Sequence, residues 1–224
     1  MAAANKKDPA KKRTLMMGEI WAKLASKYAK ALDVPSFKEI FEPIQTAVGA
    51  RGGPERVLQA IQAAVELHPT NIVLHADVAD AYPSLDRGLM LQAVYGDEKL
   101  RHMWRSFDFN FSQPSVVLVR VGDRVVHSSL SDNGVPQGNV LSSVGFAKAV
   151  HSAYLSAEGE AVESVVKLRA AMDDVTAAGG VTEILSCYDR LFESLALLGC
   201  DISLVKTKFQ VPVAELLKNC WWAL

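Results

Sequence analysis

The stretch Arg169-Ala-Ala-Met-Asp-Asp-Val-Thr-Ala-Ala-Gly-Gly180 decides how the chain is interpreted, because it places two adjacent carboxylates, Asp173 and Asp174, among small and apolar residues. A carboxylate in weakly polar surroundings is costly unless something compensates its charge. A solvated surface turn and a bound divalent cation are the two common compensations. The pair alone leaves both open, so the rest of the chain has to decide between them.

The composition is that of a globular protein with a sizeable core. Of 224 residues 50% are hydrophobic, and the net charge of -1 excludes a disordered tail and a strongly basic nucleic-acid coat. Three cysteines without a CxxC pair or a Cys/His cluster fit a reducing compartment and argue against structural zinc. We find neither a membrane-spanning run nor a secretory signal, and therefore expect a soluble, intracellular protein without a membrane partner.

Apolar residues at helical spacing predict several helices. In the first of them Trp21 and Tyr28 are expected to be core residues, with Pro35 after its end. The last is expected to stop at Gly199 in the C′ position. Residues 5–13 are basic and without apolar periodicity, and are expected to form a solvated, partly disordered start. The predicted helices cover 18–32, 54–67, 87–94 and 182–198, and a further helix is expected to lead from the turn over 134–139 through Tyr154. Residues 156–164 are polar and small, and are expected to form an exposed connection.

Strands are predicted from apolar runs bounded by turn residues. A buried strand covers 71–77 and ends on Asp77. A hairpin follows over 116–127 around the turn pair Gly122-Asp123, and a second hairpin carries Asp173-Asp174. Strands and helices alternate with hairpins among them, so the predicted class is α+β, an antiparallel sheet backed by helices.

Four segments follow one another in a fixed order: His75-Ala-Asp-Val-Ala-Asp-Ala-Tyr-Pro-Ser-Leu-Asp-Arg87, Gly134-Val-Pro-Gln-Gly138, Ala171-Met-Asp-Asp174 and Leu198-Gly-Cys-Asp-Ile-Ser-Leu-Val-Lys-Thr-Lys208. They resemble motifs A, B, C and D of reverse transcriptases. The stretch 45–55 is similar to a fingers segment of retrotransposons without long terminal repeats. The resemblance implies a right-hand palm, an antiparallel sheet with helices on one face, together with a partial fingers subdomain.

The resemblance also implies a domain organisation. Residues 1–224 form one reverse-transcriptase-like domain, in which 1–75 and 88–113 are mainly fingers and 76–87 and 114–210 mainly palm. The thumb that grips the duplex is expected to be absent, which suggests a fragment or degenerate copy of a larger enzyme and leaves a place for a partner chain that supplies a thumb. The retroelement resemblance makes the nucleus a reasonable compartment.

By resemblance, Asp77, Asp173 and Asp174 are the catalytic metal ligands, and Val78 is added to the ligand set. Nucleotide addition is an in-line displacement, in which two divalent ions about 4 Å apart activate the primer 3′-hydroxyl and neutralise the leaving pyrophosphate. Magnesium takes only one or two carboxylates per ion, so two ions call for about three carboxylates. The expected cofactor is two Mg²⁺ ions, with Mn²⁺ as a substitute.

Further roles come from the same resemblance. Tyr82 is expected beneath the deoxyribose, where it would clash with a 2′-hydroxyl; otherwise it is a half-buried core tyrosine. Gln137 is expected to contact the incoming nucleotide, and Gly138 lets the backbone come close. Lys206 is expected near the leaving pyrophosphate as an electrostatic or general-acid group; otherwise it is an exposed lysine.

Basic residues near the N-terminus match the fingers less closely. Arg13 resembles the arginine that holds the triphosphate, and Lys6 or Lys7 its companion lysine. The glycine loop over 49–54 opens a helix and could bind phosphate through free amides, or could be a plain helix start.

The leading hypothesis is an RNA-directed DNA polymerase domain of a retroelement, a nucleotidyltransferase whose partners are an RNA template, a DNA or RNA primer and deoxynucleoside triphosphates. The alternative is a catalytically inactive reverse-transcriptase-like fragment or RNA-binding module. Ala171 stands where the family usually has an aromatic residue, which favours reduced activity. A viral RNA-dependent RNA polymerase is disfavoured, because such enzymes place an Asp where Tyr82 stands.

Overall fold

The computed structural model describes residues 2–5, 12–15, 18, 20–49, 51–159 and 166–211, with the backbone alone for 2–5 and 12–15. These residues divide into two compact units, one made of 1–36 and 80–149 and the other of 37–79 and 150–224. The elements in chain order are β1 (Ala2–Asn5), β2 (Lys12–Leu15), α1 (Ile20–Leu32), α2 (Val34–Phe41), α3 (Gly53–Leu67), β3 (Ile72–Ala79), α4 (Ala81–Ser84), α5 (Arg87–Gly96), a 3₁₀ turn (Arg101–Met103), α6 (Trp104–Phe111), β4 (Ser115–Val121), β5 (Arg124–Ser131), α7 (Ser142–Glu158), β6 (Lys167–Ala171), β7 (Asp174–Gly179), α8 (Val181–Ala196), β8 (Asp201–Ile202) and β9 (Lys208–Gln210).

The second unit is built on an antiparallel sheet with β3 in its middle. Strand β7 pairs with one edge of β3 along 72–77, and β9 and β8 pair with the other edge at 73–75 and 78–79. Strand β6 extends the sheet beyond β7. Burial alternates along β3, so that Leu74 and Ala76 face the core while His75 and Asp77 lie on the opposite, more open face. The predicted α+β class is confirmed.

Helices α8 and α3 pack against this sheet. Helix α8 lies against β3, β7 and β8. It ends at Ala196, and the chain turns away from it at Gly199, whose φ is 76°. The Cys200 amide donates to the Leu195 carbonyl at 3.0 Å, which is the bond expected after a C′ glycine, so this prediction is confirmed. Helix α3 packs Ile61 against Ala178 and so covers the end of the sheet away from Asp77.

The first unit contains the predicted helix at 87 and the predicted first hairpin. Helix α5 begins at Arg87 because the Asp86 carboxylate caps it, accepting from the Leu89 amide at 2.8 Å. Strands β4 and β5 pair around the turn Gly122-Asp123, in which Gly122 has a φ of 58°. Helix α6 was not predicted from the sequence, and it buries two phenylalanines.

Helix α1 follows the predicted range, but the prediction that Trp21 and Tyr28 are core residues is wrong. Their side chains are 77% and 70% exposed. The opposite face of the helix is turned inwards: Ser26 is buried, and the Lys30 Nζ donates to the Ser143 hydroxyl at 3.0 Å. Apolar spacing shows which residues share a helix face, but it does not show which face is covered by the rest of the protein. In α1 the covered face is the one that carries Ser26 and Lys30.

The N-terminal start differs from the prediction in part. Backbone strands β1 and β2 pair over 2–5 and 12–15, where a solvated start was expected, while 6–11 fall outside the described residues. Helix α7 continues to Glu158 and so includes the start of the connection predicted over 156–164, while residues 160–164 of that connection fall outside the described residues. In the described part of the chain, no helix has the length and apolar character needed to cross a membrane.

Candidate active site

Asp77 and Asp174 are brought together on the two neighbouring strands β3 and β7, at the end of their ladder. They are register partners on the antiparallel strands β3 and β7, which places their side chains on one face with Cβ atoms about 5 Å apart. Both line an open cleft of about 470 Å³ within the second unit. Like charges directly opposite each other are destabilising. This position therefore favours a compensating cation.

Lys206 provides such a cation. Its Nζ lies 2.6 Å from Asp77 Oδ2, and the turn that carries it is anchored to the same aspartate, because the Ser203 amide donates to the Asp77 carbonyl at 2.8 Å. The Thr207 amide closes this turn on the Ser203 carbonyl at 2.9 Å. The lysine side chain is 61% exposed and the Asp77 side chain 20%. A pair with such an exposed lysine contributes no more than about 1 kcal/mol, so other cations can displace it.

Asp173 lies in the turn between β6 and β7 rather than in a strand. Met172 precedes it with a φ of 66°, a left-handed conformation that is uncommon for a residue with a side chain. Two contacts hold this turn: the Tyr154 hydroxyl donates to the Met172 carbonyl at 2.9 Å, and the Val78 amide donates to the Asp173 carbonyl at 3.3 Å. Because the Val78 side chain is apolar and buried, only its backbone could serve a ligand.

The donor chemistry of this face fits magnesium. Asp77 and Asp174 offer carboxylate oxygens from two neighbouring strands, which are the ligands that Mg²⁺ prefers. Within the described residues, no group of three or more His, Cys, Asp or Glu side chains is arranged to hold a metal ion. The three-carboxylate ligand set with Asp173 therefore stays a prediction.

Tyr82 lies in the first unit, on the short helix α4. Its ring stacks on the buried ring of Phe146, with centroids 5.0 Å apart and an angle of 10° between the planes. Its carbonyl accepts a hydrogen bond from the Val135 amide at 2.7 Å. The ring is half-buried, as the structural alternative predicted, and its proposed role as a sugar gate stays a prediction.

Gln137 and Gly138 also lie in the first unit, in a turn that is tightly bonded. The Asn139 amide donates to the Pro136 carbonyl at 3.3 Å, and the Ser142 hydroxyl donates to the same carbonyl at 2.8 Å. Gly138 is exposed with a φ of 102°. The turn thus presents bare backbone, and the half-buried Gln137 lies next to it, as a site for close approach of a ligand requires.

The proposed triphosphate contacts of the N-terminal basic residues stay predictions. Arg13 lies in β2, where only the backbone is described, and Lys6 and Lys7 fall outside the described residues.

Several residues of the cleft were not identified from the sequence. His75, Thr176 and Lys208 line it beside the two aspartates, and the His75 Nδ1 lies 3.3 Å from the Thr176 Oγ1. The period of two along a strand could have identified His75, two positions before Asp77. Lys208 needed the pairing of β9 with β3, which has no local signal.

The fold is the polymerase right hand of reverse transcriptases, as the motifs predicted. Apo telomerase from Candida tropicalis, truncated from its C-terminal domain, superposes with a TM-score of 0.60 at 13% identity, covering 84% of this chain and 40% of that chain. Telomerase from Candida albicans, in complex with a TWJ fragment of telomeric RNA, gives 0.61 at 13% identity over 83% of this chain and 34% of that one. At this identity the likeness shows the fold alone.

A retroelement protein is similar in sequence. The retrotransposable element SLACS 132 kDa protein of Trypanosoma brucei gambiense is 27% identical over 203 residues, which is 91% of this chain. The chain spans 17% of the length of that protein. No family model matches. The predicted resemblance to a reverse-transcriptase-like domain of a retroelement is confirmed by these two likenesses together.

Proposed function

We propose that this chain is an RNA-directed DNA polymerase domain of a retroelement, which adds deoxynucleotides to a primer 3′-hydroxyl along an RNA template. The observation that carries the proposal is the direct pairing of Asp77 with Asp174 on neighbouring strands, at an open cleft that also holds Lys206. Two opposed carboxylates do not stabilise a sheet. Their position is explained by a task that needs divalent cations.

The proposed metal ligands are Asp77, Asp174 and Asp173, with a contribution from Val78. Bound Mg²⁺ would activate the primer hydroxyl and neutralise charge on the leaving pyrophosphate. Asp77 Oδ2 is bonded to the Lys206 ammonium, and this pair is weak because the lysine is exposed. Displaced from the carboxylate, the Lys206 ammonium becomes available for the phosphates of the nucleotide.

The proposed nucleotide contacts lie on the first unit. The Gly138 backbone and the Gln137 amide would contact the incoming nucleotide, and Tyr82 would select deoxyribose. The stack on Phe146 supports the second role, because a ring fixed in one orientation discriminates by shape better than a mobile one. The proposed RNA template, primer and deoxynucleoside triphosphates are found inside cells, which is where the proposal places the protein.

Primer extension on an RNA template with purified protein tests the proposal. We expect incorporation in Mg²⁺ or Mn²⁺ that falls by at least about a hundredfold in Asp77→Asn and in Asp174→Asn. Asp123→Asn is the matched control, because Asp123 is exposed in the β4–β5 turn and should leave the rate unchanged. Wild-type incorporation no higher than that of the two cleft variants would end the polymerase proposal.

The alternative, an inactive module that binds RNA, has one specific observation in its favour. The Lys206 ammonium is paired with Asp77, so the chain itself supplies a cation that compensates part of the carboxylate charge. Mn²⁺ titration calorimetry separates the two proposals: the polymerase requires binding that is lost in Asp77→Asn, whereas salt-dependent RNA binding without metal uptake or incorporation supports the alternative.

A further inference from the structure

We propose that Arg87 is a positioning residue that clamps the loop before Gln137-Gly138 to the segment that carries Tyr82. The inference rests on the proposed function for its catalytic consequence, while the clamp itself is a property of the first unit. The motif resemblance assigns Arg87 no role.

The Arg87 side chain is 6% exposed, which is unusual for an arginine. Its Nε donates to the Gly134 carbonyl at 2.8 Å, its Nη1 to the Ser131 carbonyl at 3.1 Å, and its Nη2 to the Asn133 carbonyl at 3.0 Å and the Ser131 hydroxyl at 3.1 Å. The planar guanidinium is thus used almost completely. A buried charge is tolerated only with such hydrogen bonding.

The backbone completes the connection. The Asn133 side chain accepts from the Arg87 amide at 3.2 Å, the Gly134 amide donates to the Leu85 carbonyl at 3.1 Å, and the Val135 amide donates to the Tyr82 carbonyl at 2.7 Å. Each link joins one residue of the loop to one residue of the segment. The position of Tyr82 is therefore tied to the loop that leads to the nucleotide-binding turn.

The close approach at Gly134 shows how tightly the two segments fit. Gly134 has a φ of 64°, and a Cβ on it would lie 2.2 Å from the Pro83 carbonyl oxygen. Only glycine fits there. A contact this close, held by a buried guanidinium, indicates one fixed arrangement of the sugar gate and the loop.

Arg87→Lys tests the clamp, because an ammonium on a flexible chain cannot reproduce the planar fork. We expect hydrogen exchange at the Gly134 and Val135 amides to become at least about tenfold faster, since both bonds depend on the loop staying in place. Amides of β3 and β7 should keep their wild-type rates. Arg105→Lys, at an exposed arginine of α6, is the matched control and should change nothing.

Arg87→Lys should also change the kinetics of nucleotide addition, which a purely structural role of Arg87 would leave unchanged. We expect the KM for deoxynucleotides to rise about tenfold, discrimination against ribonucleotides to fall, and kcat to change less, because the metal ligands lie on other elements. Should Arg87→Lys fail to fold, Asn133→Ala removes only the acceptor of the Arg87 amide and should shift both readouts in the same direction by a smaller factor.

Two results overturn the inference. Wild-type exchange at Gly134 and Val135 in a folded Arg87→Lys protein would disprove the clamp. Faster exchange with unchanged KM and unchanged sugar discrimination would disprove the positioning role. A wild-type protein without polymerase activity would refute the proposed function, while the exchange experiment would still decide whether the clamp exists.

Discussion

Two hairpins in the described part of the chain form for different physical reasons. The β4–β5 hairpin turns at Gly122, which adopts a φ of 58° without strain, and its strands are largely exposed, with Val116 at 66% and Leu130 at 67%. The β6–β7 hairpin turns at Met172, whose side chain disfavours the φ of 66° that it adopts. Its inward residues are almost completely buried.

The difference shows which turn is imposed by the rest of the fold. Local sequence suffices for the β4–β5 turn, and its residues carry none of the proposed chemistry. The β6–β7 turn needs β3 beside it and the Tyr154 hydroxyl bonded to the Met172 carbonyl. A strained turn held by its surroundings is typical of functional sites, and here it carries Asp173.

The largest expected difference in stability is between leucine substitutions in the strands of the two hairpins. Leu168→Ala in β6 should lower the free energy of unfolding by about 2–5 kcal/mol, because Leu168 is fully buried and its removal leaves a cavity. Leu130→Ala in β5 should change it by less than about 0.5 kcal/mol. Urea denaturation measures both. Equal losses would show that the β4–β5 hairpin is packed as firmly as the sheet.

A smaller effect is expected at the support of the β6–β7 turn. Tyr154→Phe keeps the buried ring and removes the bond to the Met172 carbonyl, which should cost about 1 kcal/mol of unfolding free energy. Tyr28→Phe is the control, because Tyr28 is 70% exposed. If both variants unfold at the wild-type urea concentration, the hydroxyl does not stabilise the turn.

The smallest effect is expected at the turn residues themselves. In Met172→Gly the relief of the left-handed strain, about 1 kcal/mol, is offset by the greater freedom of glycine in the unfolded chain, so stability should stay within about 0.5 kcal/mol. Gly122→Ala introduces that strain, and the β4–β5 amides should exchange faster. Marked destabilisation by Met172→Gly would show that the methionine side chain, rather than β3 and Tyr154, holds the turn.

Local patterns predicted much of the fold correctly. The helix at 87, the apolar period of α8 before Gly199 and the turn pair of the β4–β5 hairpin were all found from the sequence, while the Asp86 cap of α5 was seen only in the structure. The orientation of α1 could not be predicted, since the inward face carries Lys30, whose hydrogen-bond partner Ser143 lies more than a hundred residues away in the chain. An amphipathic period identifies the apolar face of a helix, but that face need not be the one that packs against the protein.

The candidate site was predicted only through the resemblance. Asp77 ends an apolar run and Asp174 follows a turn, but no local pattern pairs the two strands, and residues 77 and 174 lie far apart in the chain. From the sequence alone, Arg87 would be predicted to be an exposed residue at the start of a helix. In the structure its guanidinium is bonded to backbone carbonyl groups of a distant loop. Every residue has a carbonyl group, so such partners cannot be identified from the sequence.

The central position of β3 has a consequence for the synthesis of the protein. Both edges of this strand pair with segments that follow much later, β7 on one side and β9 on the other. A ribosome that adds about 5–20 residues per second needs roughly 6–26 s to make the roughly 130 residues between the end of β3 and the end of β9. For roughly the first 5–20 s of that time, until β7 has been made, β3 has neither of its partners.

Such non-local pairing is also slow once the chain is complete, because a long loop must close before the contacts form. Until its partners have been made, β3 (Ile72–Ala79) is an apolar strand with two unpaired edges, and such edges favour association with other chains. We therefore expect the nascent protein to associate with other chains more readily than the folded one, and the yield of soluble protein to rise when chaperones are present during translation.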